Sequence, residues 1–137
     1  MDQPRMTLRL PPRTEEVARL LDEVEAFAEA ADIPTALAMR LALVAEELAA
    51  NVVMHGTGAG FFAFTATVTG AGVAILFEDD GPEFDPLAAP AAATGAGVDS
   101  REVGGLGLHL LRKMTRGAAW ERTGGVNRLT CLLPHDA

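Results

Sequence analysis

Polar and apolar residues change their period along this chain, and each change marks an element. Met6 to Leu10 alternates apolar and polar side chains, the two-residue period of a strand with one buried face. Pro11 and Pro12 end it. Thr14 is placed to cap a helix whose first turn carries Glu15 and Glu16, both favourable at a positive helix N-terminus. That helix runs to about Ala31, with Val17, Leu20, Leu21, Val24 and Phe27 on one side. Asp32-Ile33-Pro34-Thr35 breaks it and opens a second helix. Leu37, Leu41, Val44, Leu48 and Val52 give this helix its apolar stripe, and Gly56 is the stop.

Beyond Gly56 the period becomes extended. Phe61 to Thr69 predicts a strand, Gly70-Ala71-Gly72 a tight turn, and Val73 to Phe77 a nearly continuous apolar strand suited to the middle of a sheet. Residues from about 86 to 104 are rich in Ala, Gly and Pro and carry no period, which predicts a loop long enough to act as a lid. Leu106 to Met114 predicts a helix. Ala118 to Arg122 and Val126 to Leu133 predict a closing hairpin across Thr123-Gly124-Gly125. The order describes a single α+β domain over 1–137. We expect a two-layer sandwich, an antiparallel-rich mixed sheet with helices on one face.

Composition narrows the partners. A net charge of -8 argues against nucleic acid and anionic membranes, which attract basic patches. No apolar run approaches a membrane span, and the N-terminus lacks a signal-peptide core, so the expectation is a cytoplasmic protein. The one cysteine, Cys131, cannot staple its own chain and reads as a small buried strand residue.

Three patches carry candidate chemistry. On the second helix, each residue advances about 100°, which puts Glu46 opposite the apolar stripe and stacks Glu47 and Asn51 along its flank. A carboxylate there can orient or deprotonate a hydroxyl, and an asparagine carbonyl is a hard ligand suited to Mg²⁺. The same pair also fits an ordinary helix surface. His55 can either cap this helix or line a site. The second patch is Glu78-Asp79-Asp80-Gly81 at the mouth of the apolar strand. It reads either as an acidic turn or as a base-reading carboxylate, with Asp79 on the inward face, Asp80 pointing away and Gly81 letting backbone pass close to a base. The third is Gly104-Gly105-Leu106-Gly107 before an apolar helix, where free N–H groups favour phosphate or glycine simply permits a sharp turn.

In combination, Glu47-x-x-x-Asn51, Asp79-x-Gly81 and Gly105-x-Gly107-x-x-Leu110 resemble the N, G1 and G2 boxes of the GHKL ATPases, the superfamily of gyrase and the histidine kinases. The wording "AEELAANVVMHG", "EDDGPEFDPL" and "GGLGLHLLRKM" is most similar to its small stand-alone branch, the anti-sigma-factor serine/threonine kinases of the RsbW and SpoIIAB type. The resemblance covers Met6 to Leu133. It implies the Bergerat ATP-binding fold, ATP and Mg²⁺ as cofactors, Glu47 as general base and Asn51 as Mg²⁺ ligand. It also implies that Asp79 and Gly81 meet adenine, that Gly105, Leu106, Gly107 and Leu108 meet the phosphates, and that Thr130 stands behind Asp79. The activity implied is γ-phosphoryl transfer to a serine or threonine of an anti-anti-sigma (STAS) partner, with sigma-factor binding and homodimerisation. The competing expectation is a non-catalytic, nucleotide-gated binding module. The chain departs from the pattern at Glu83, which stands where the second glycine of the G1 box is usual.

Overall fold

The computed structural model describes residues 3–87 and 111–135. The elements are β1 (Arg5–Leu10), α1 (Thr14–Ala30), α2 (Thr35–His55), β2 (Phe62–Thr69), β3 (Gly72–Asp79), β4 (Arg116–Thr123) and β5 (Val126–Pro134). Residues 111–114 are helical, the end of the helix expected over 106–114. The strands form one sheet in the order β1-β2-β3-β5-β4, with β3 at its centre. Every pairing among the described strands is antiparallel, so the mixed character expected of the sheet is not seen there.

Both helices lie on one face of this sheet, as the amphipathic stripes predict. Leu37, Leu41, Val44, Leu48 and Val52 of α2 are all buried, and they meet Phe62, Phe64 and Ala66 of β2, Val73, Ile75 and Phe77 of β3, and Leu129, Cys131 and Leu133 of β5 in one core. α1 packs beside α2 and against β1 and contributes Leu20 and Val24 to this core, while Val17, Leu21 and Phe27 are only partly buried. The opposite face of the sheet has no helix against it among the described residues. It carries the Thr7–Thr65 hydroxyl pair and the ion pairs of Arg128 with Glu78 and Glu121. No described helix is long and apolar enough to cross a membrane.

Two boundaries differ from expectation for local reasons. Thr14 is the first helical residue and caps nothing; Arg13 occupies the extended cap position (φ -124°), and its carbonyl accepts from the N–H groups of Glu16 and Val17. β3 reaches Asp79 because pairing with β2 and β5 on both sides extends the ladder, Asp79 standing opposite Phe62 and Asn127. The β4–β5 hairpin turns on Gly124 and Gly125, both left-handed at φ 59° and 79°, which is the glycine-demanding turn its sequence predicts.

Candidate functional site: a cleft beside α2 and β3

A cleft opens where the C-terminal half of α2 passes the end of β3. α2 lends Leu48, Asn51, Val52 and His55; β3 lends Phe77 and Asp79. Pro82, Phe84 and Pro86 close it from the turn after β3, and Trp120, Asn127 and Leu129 from the last hairpin. The walls are mainly apolar, with a few convergent polar groups, the usual make-up of a small-molecule site.

The polar groups are held by local structure. Asp79 projects to the same face as Phe77, inward, by strand alternation. Its Oδ1 accepts from the Gly81 N–H at 2.9 Å and from the Asn127 amide at 3.1 Å. Asp80 points the other way and accepts from the N–H groups of Gly60 (2.7 Å) and Phe61 (3.0 Å), tying the turn to the start of β2. Desolvation works to raise the Asp80 carboxyl. The N–H groups of Phe61 and Gly60, its own N–H and the charge of Arg9 together outweigh that and hold it below its usual range. Glu78 is paired with Arg128 at 2.8 Å. The acidic run is therefore largely answered by the protein. Glu83 has no ion pair or hydrogen bond among the described residues, and it is exposed. Pro82, Phe84 and Pro86 face the cleft, while Glu83 and Asp85 are not among its described walls.

Gly81 is explained by close packing rather than by approach to a base alone. A Cβ there would stand 3.1 Å from Asp79 Oδ1, 3.3 Å from the Ala59 Cβ and 3.4 Å from Gly56 Cα. The turn thus nests against the loop that follows α2.

On α2, Asn51 is 8% exposed, lines the cleft, and has a buried side-chain nitrogen with no partner among the described residues. The indole N–H of Trp120, at the cleft wall, is likewise buried with no partner among the described residues. Glu46 is exposed and Glu47 half-buried, as the helical positions predict. Burial, and then the charge of Glu46, hold the Glu47 carboxyl above its usual range. Glu47 sits one turn from Asn51 on the same flank, yet it is not among the described walls of the cleft.

A family model described as the histidine kinase-like ATPase domain matches residues 10–132. The chain belongs to this family. Serine/threonine-protein kinase BtrW of Bordetella bronchiseptica is 32% identical over 104 residues, covering 74% of this chain and 72% of that relative. The chain is thereby a kinase-like ATPase domain, with the α+β fold expected of one, and ATP is the cofactor that such a domain uses.

Of the residues singled out in the sequence, the structure of this ATPase domain brings Asn51 and Asp79 into one cleft and sets Gly81 immediately behind it. His55 is an exposed wall residue at the end of α2. Thr130 is a correction. It is exposed and lies opposite Leu76 and Ala119, on the face of the sheet away from the helices, because β5 buries Asn127, Leu129, Cys131 and Leu133 instead. The residue standing behind Asp79 is Asn127, its register partner, which sequence reasoning missed. The alternation that buries Leu129 and Leu133 carries the signal, since Asn127 shares their parity and Thr130 does not. Gly105, Leu106, Gly107 and Leu108 lie outside the described residues, as does the expected lid beyond Leu87.

Asn51 is chemically suited to give a magnesium ion one ligand. No group of three His, Cys, Asp or Glu side chains is placed to hold a metal among the described residues. Mg²⁺ does not need such a cage, since it is commonly held by one or two protein oxygens together with phosphates and water. The unpartnered amide of Asn51 offers such an oxygen when its carbonyl is turned to the cleft.

Proposed function

We propose that this ATPase domain is a serine/threonine protein kinase of a partner-switching system. In this reading it binds ATP in the cleft, phosphorylates an anti-anti-sigma (STAS) protein, and alternately holds a sigma factor. The observation that carries the reading is Glu47, a desolvated carboxyl with raised proton affinity one helical turn from Asn51. A base of that kind accepts the proton of an attacking serine or threonine hydroxyl more readily than an ordinary surface glutamate. Asp79 and its hydrogen-bonded turn orient the nucleobase, and Phe77, Leu129 and Trp120 give it apolar walls. Asn51 would hold Mg²⁺, which when bound neutralises developing phosphate charge. The relative named a serine/threonine-protein kinase supports the protein acceptor. Homodimerisation and a cytoplasmic location go with the same reading.

One observation favours a second reading. Glu47 stands beside the cleft rather than in its described walls, which suits a nucleotide-gated binding module with no transfer step. Incubation with γ-labelled ATP, Mg²⁺ and STAS-domain proteins separates the two. The kinase reading expects label on the STAS protein, lost in Glu47→Ala while ATP binding persists. ATP binding with no label on any STAS protein would favour the module.

A further inference from the structure

Four large apolar side chains are exposed among the described residues, and three of them stand on α2: Met39 (64%), Leu43 (39%) and Met54 (55%). The fourth, Phe84, belongs to the cleft. Single exposed apolar residues are ordinary, but these three are aligned. At about 100° per residue, Leu43 and Met54 lie within about 60° of Met39, and the half-buried Ala50 falls between them. The row is about 22 Å long. It is no part of the core, since α2 meets the sheet with Leu37, Leu41, Val44, Leu48 and Val52.

Glu47 relates this row to the cleft. On the same helical count Glu47 stands about 80° from Met39 and Asn51 about 120°, so Glu47 separates the row from the cleft wall. Glu47 is half-buried and is not among the described walls. A hydroxyl that Glu47 activates against a nucleotide in the cleft therefore arrives over the outer face of α2. We propose that Met39, Leu43, Ala50 and Met54 form the docking surface for the acceptor protein, seating the segment beside its serine or threonine so that the hydroxyl meets Glu47. The inference rests on the kinase reading. The rim gives the chemistry of the partner. Glu46 flanks the row on one side and Glu47 on the other, and α1 alongside exposes Asp22, Glu25 and Glu29. Arg40 is turned to the carbonyls of Pro134 and His135. The surface thus fits an apolar segment flanked by basic side chains, with charge setting the approach and apolar contact the hold. Methionine, unbranched and polarisable, suits such an adaptable contact.

The test is steady-state phosphorylation of the STAS-domain protein that takes label from the parent chain, with acceptor varied at saturating ATP. Met39→Lys and Met54→Lys each replace an exposed apolar contact by a charge that repels a basic segment, and neither touches the core. Each should raise KM for the acceptor about tenfold or more. At saturating acceptor kcat should stay within about twofold, with ATP affinity unchanged, as expected for lost docking rather than lost chemistry. Ala119→Lys adds the same charge on the exposed face of the sheet and should leave KM where it is. Unchanged KM in the folded α2 variants overturns the proposal. An equal rise in Ala119→Lys does so too, since the effect is then one of net charge. Variants that keep KM but lose self-association in sedimentation assign the row to a second copy of the chain, again overturning it. No label on any STAS-domain protein from the parent chain overturns the kinase reading itself, and this docking surface with it, an outcome visible before any variant is made.

Discussion

Glu47 combines a functional expectation with a measurable electrostatic cost. Its folded carboxyl titrates above the ordinary value of 4.5, so between those two points the native state binds more protons than the unfolded chain. Stability from this group is therefore full below about pH 4.5 and declines as pH rises through the folded value. Glu47→Gln should be at least as stable as the parent at pH 7, with any gain vanishing near pH 4, while phosphoryl transfer is lost. Denaturant titrations at the two pH values check the sign, and a variant less stable at pH 7 than at pH 4 relative to the parent would contradict it. Cys131 is buried more deeply than Glu47. Burial pushes its thiol up to about 11, only partly offset by Thr115, so it should resist thiol reagents at neutral pH until the chain unfolds. Rapid labelling under native conditions would contradict its burial.

The same scale shows where reading a sequence stops. Asn51 and Asp79 are legible because helical and strand periods assign their faces without knowledge of neighbours. Thr130 is misplaced by sequence reading because its role is carried by likeness of position, while β5 turns it outward and sets Asn127 opposite Asp79. Trp120 and Arg122 are invisible for a related reason. Trp120 reaches the cleft, and Arg122 reaches the Asn127 amide and the Gly81 carbonyl, only through the β4–β5 pairing, and cross-strand register is a property of two strands together.

At the scale of elements, the apolar stripe of α2 and the glycines of the hairpin turns are strong local signals, and the elements form where those signals stand. The ends of strands are less legible, since pairing rather than propensity extends β3 to Asp79. Its start is set by Gly72. That residue has φ +148°, and a Cβ on it would meet the Leu133 carbonyl oxygen at 2.1 Å. The turn before it is tied by Thr69, whose hydroxyl accepts from the N–H groups of Ala71 and Gly72 and donates to the Gly72 carbonyl. Gly72→Ala should therefore cost about 2–3 kcal/mol, from backbone strain together with displacement of β5. Equilibrium unfolding measures it, and a loss under about 0.5 kcal/mol would mean that β5 does not lie this close. Phe62 tests the core that supports the site. It is fully buried and stacks on the cleft residue Phe77 at 5.9 Å between ring centroids. Phe62→Ala should cost about 3–5 kcal/mol. A small loss in urea titration would show that the cavity collapses readily and that Phe77 is not held from behind.

The whole molecule is organised so that its cleft joins elements distant in sequence. α2, β3, the turn after it and both strands of the last hairpin supply walls, while the sheet alone already connects β3 to β5 and β4. A ligand filling such a cleft contacts groups that separate on unfolding, so its binding energy adds to global stability instead of stiffening one loop. ATP with Mg²⁺ at about 100 times its dissociation constant should stabilise the fold by about 2.7 kcal/mol. For a domain of this size that is a rise in melting temperature of roughly 5–15 °C. Asp79→Asn should lose most of this increment with ATP, because the oxygen it keeps is taken by the Gly81 N–H and the Asn127 amide and its NH₂ is left facing the 6-amino group, yet it should melt near the parent temperature without ligand, since those two hydrogen bonds survive. The ligand-free melting temperature reports the fold and the ATP increment reports the site, so one pair of scans separates the two. Equal increments in parent and variant would place the nucleotide away from Asp79. A variant that melts far lower without ligand would make Asp79 a structural residue of the turn first and a reader of the base second.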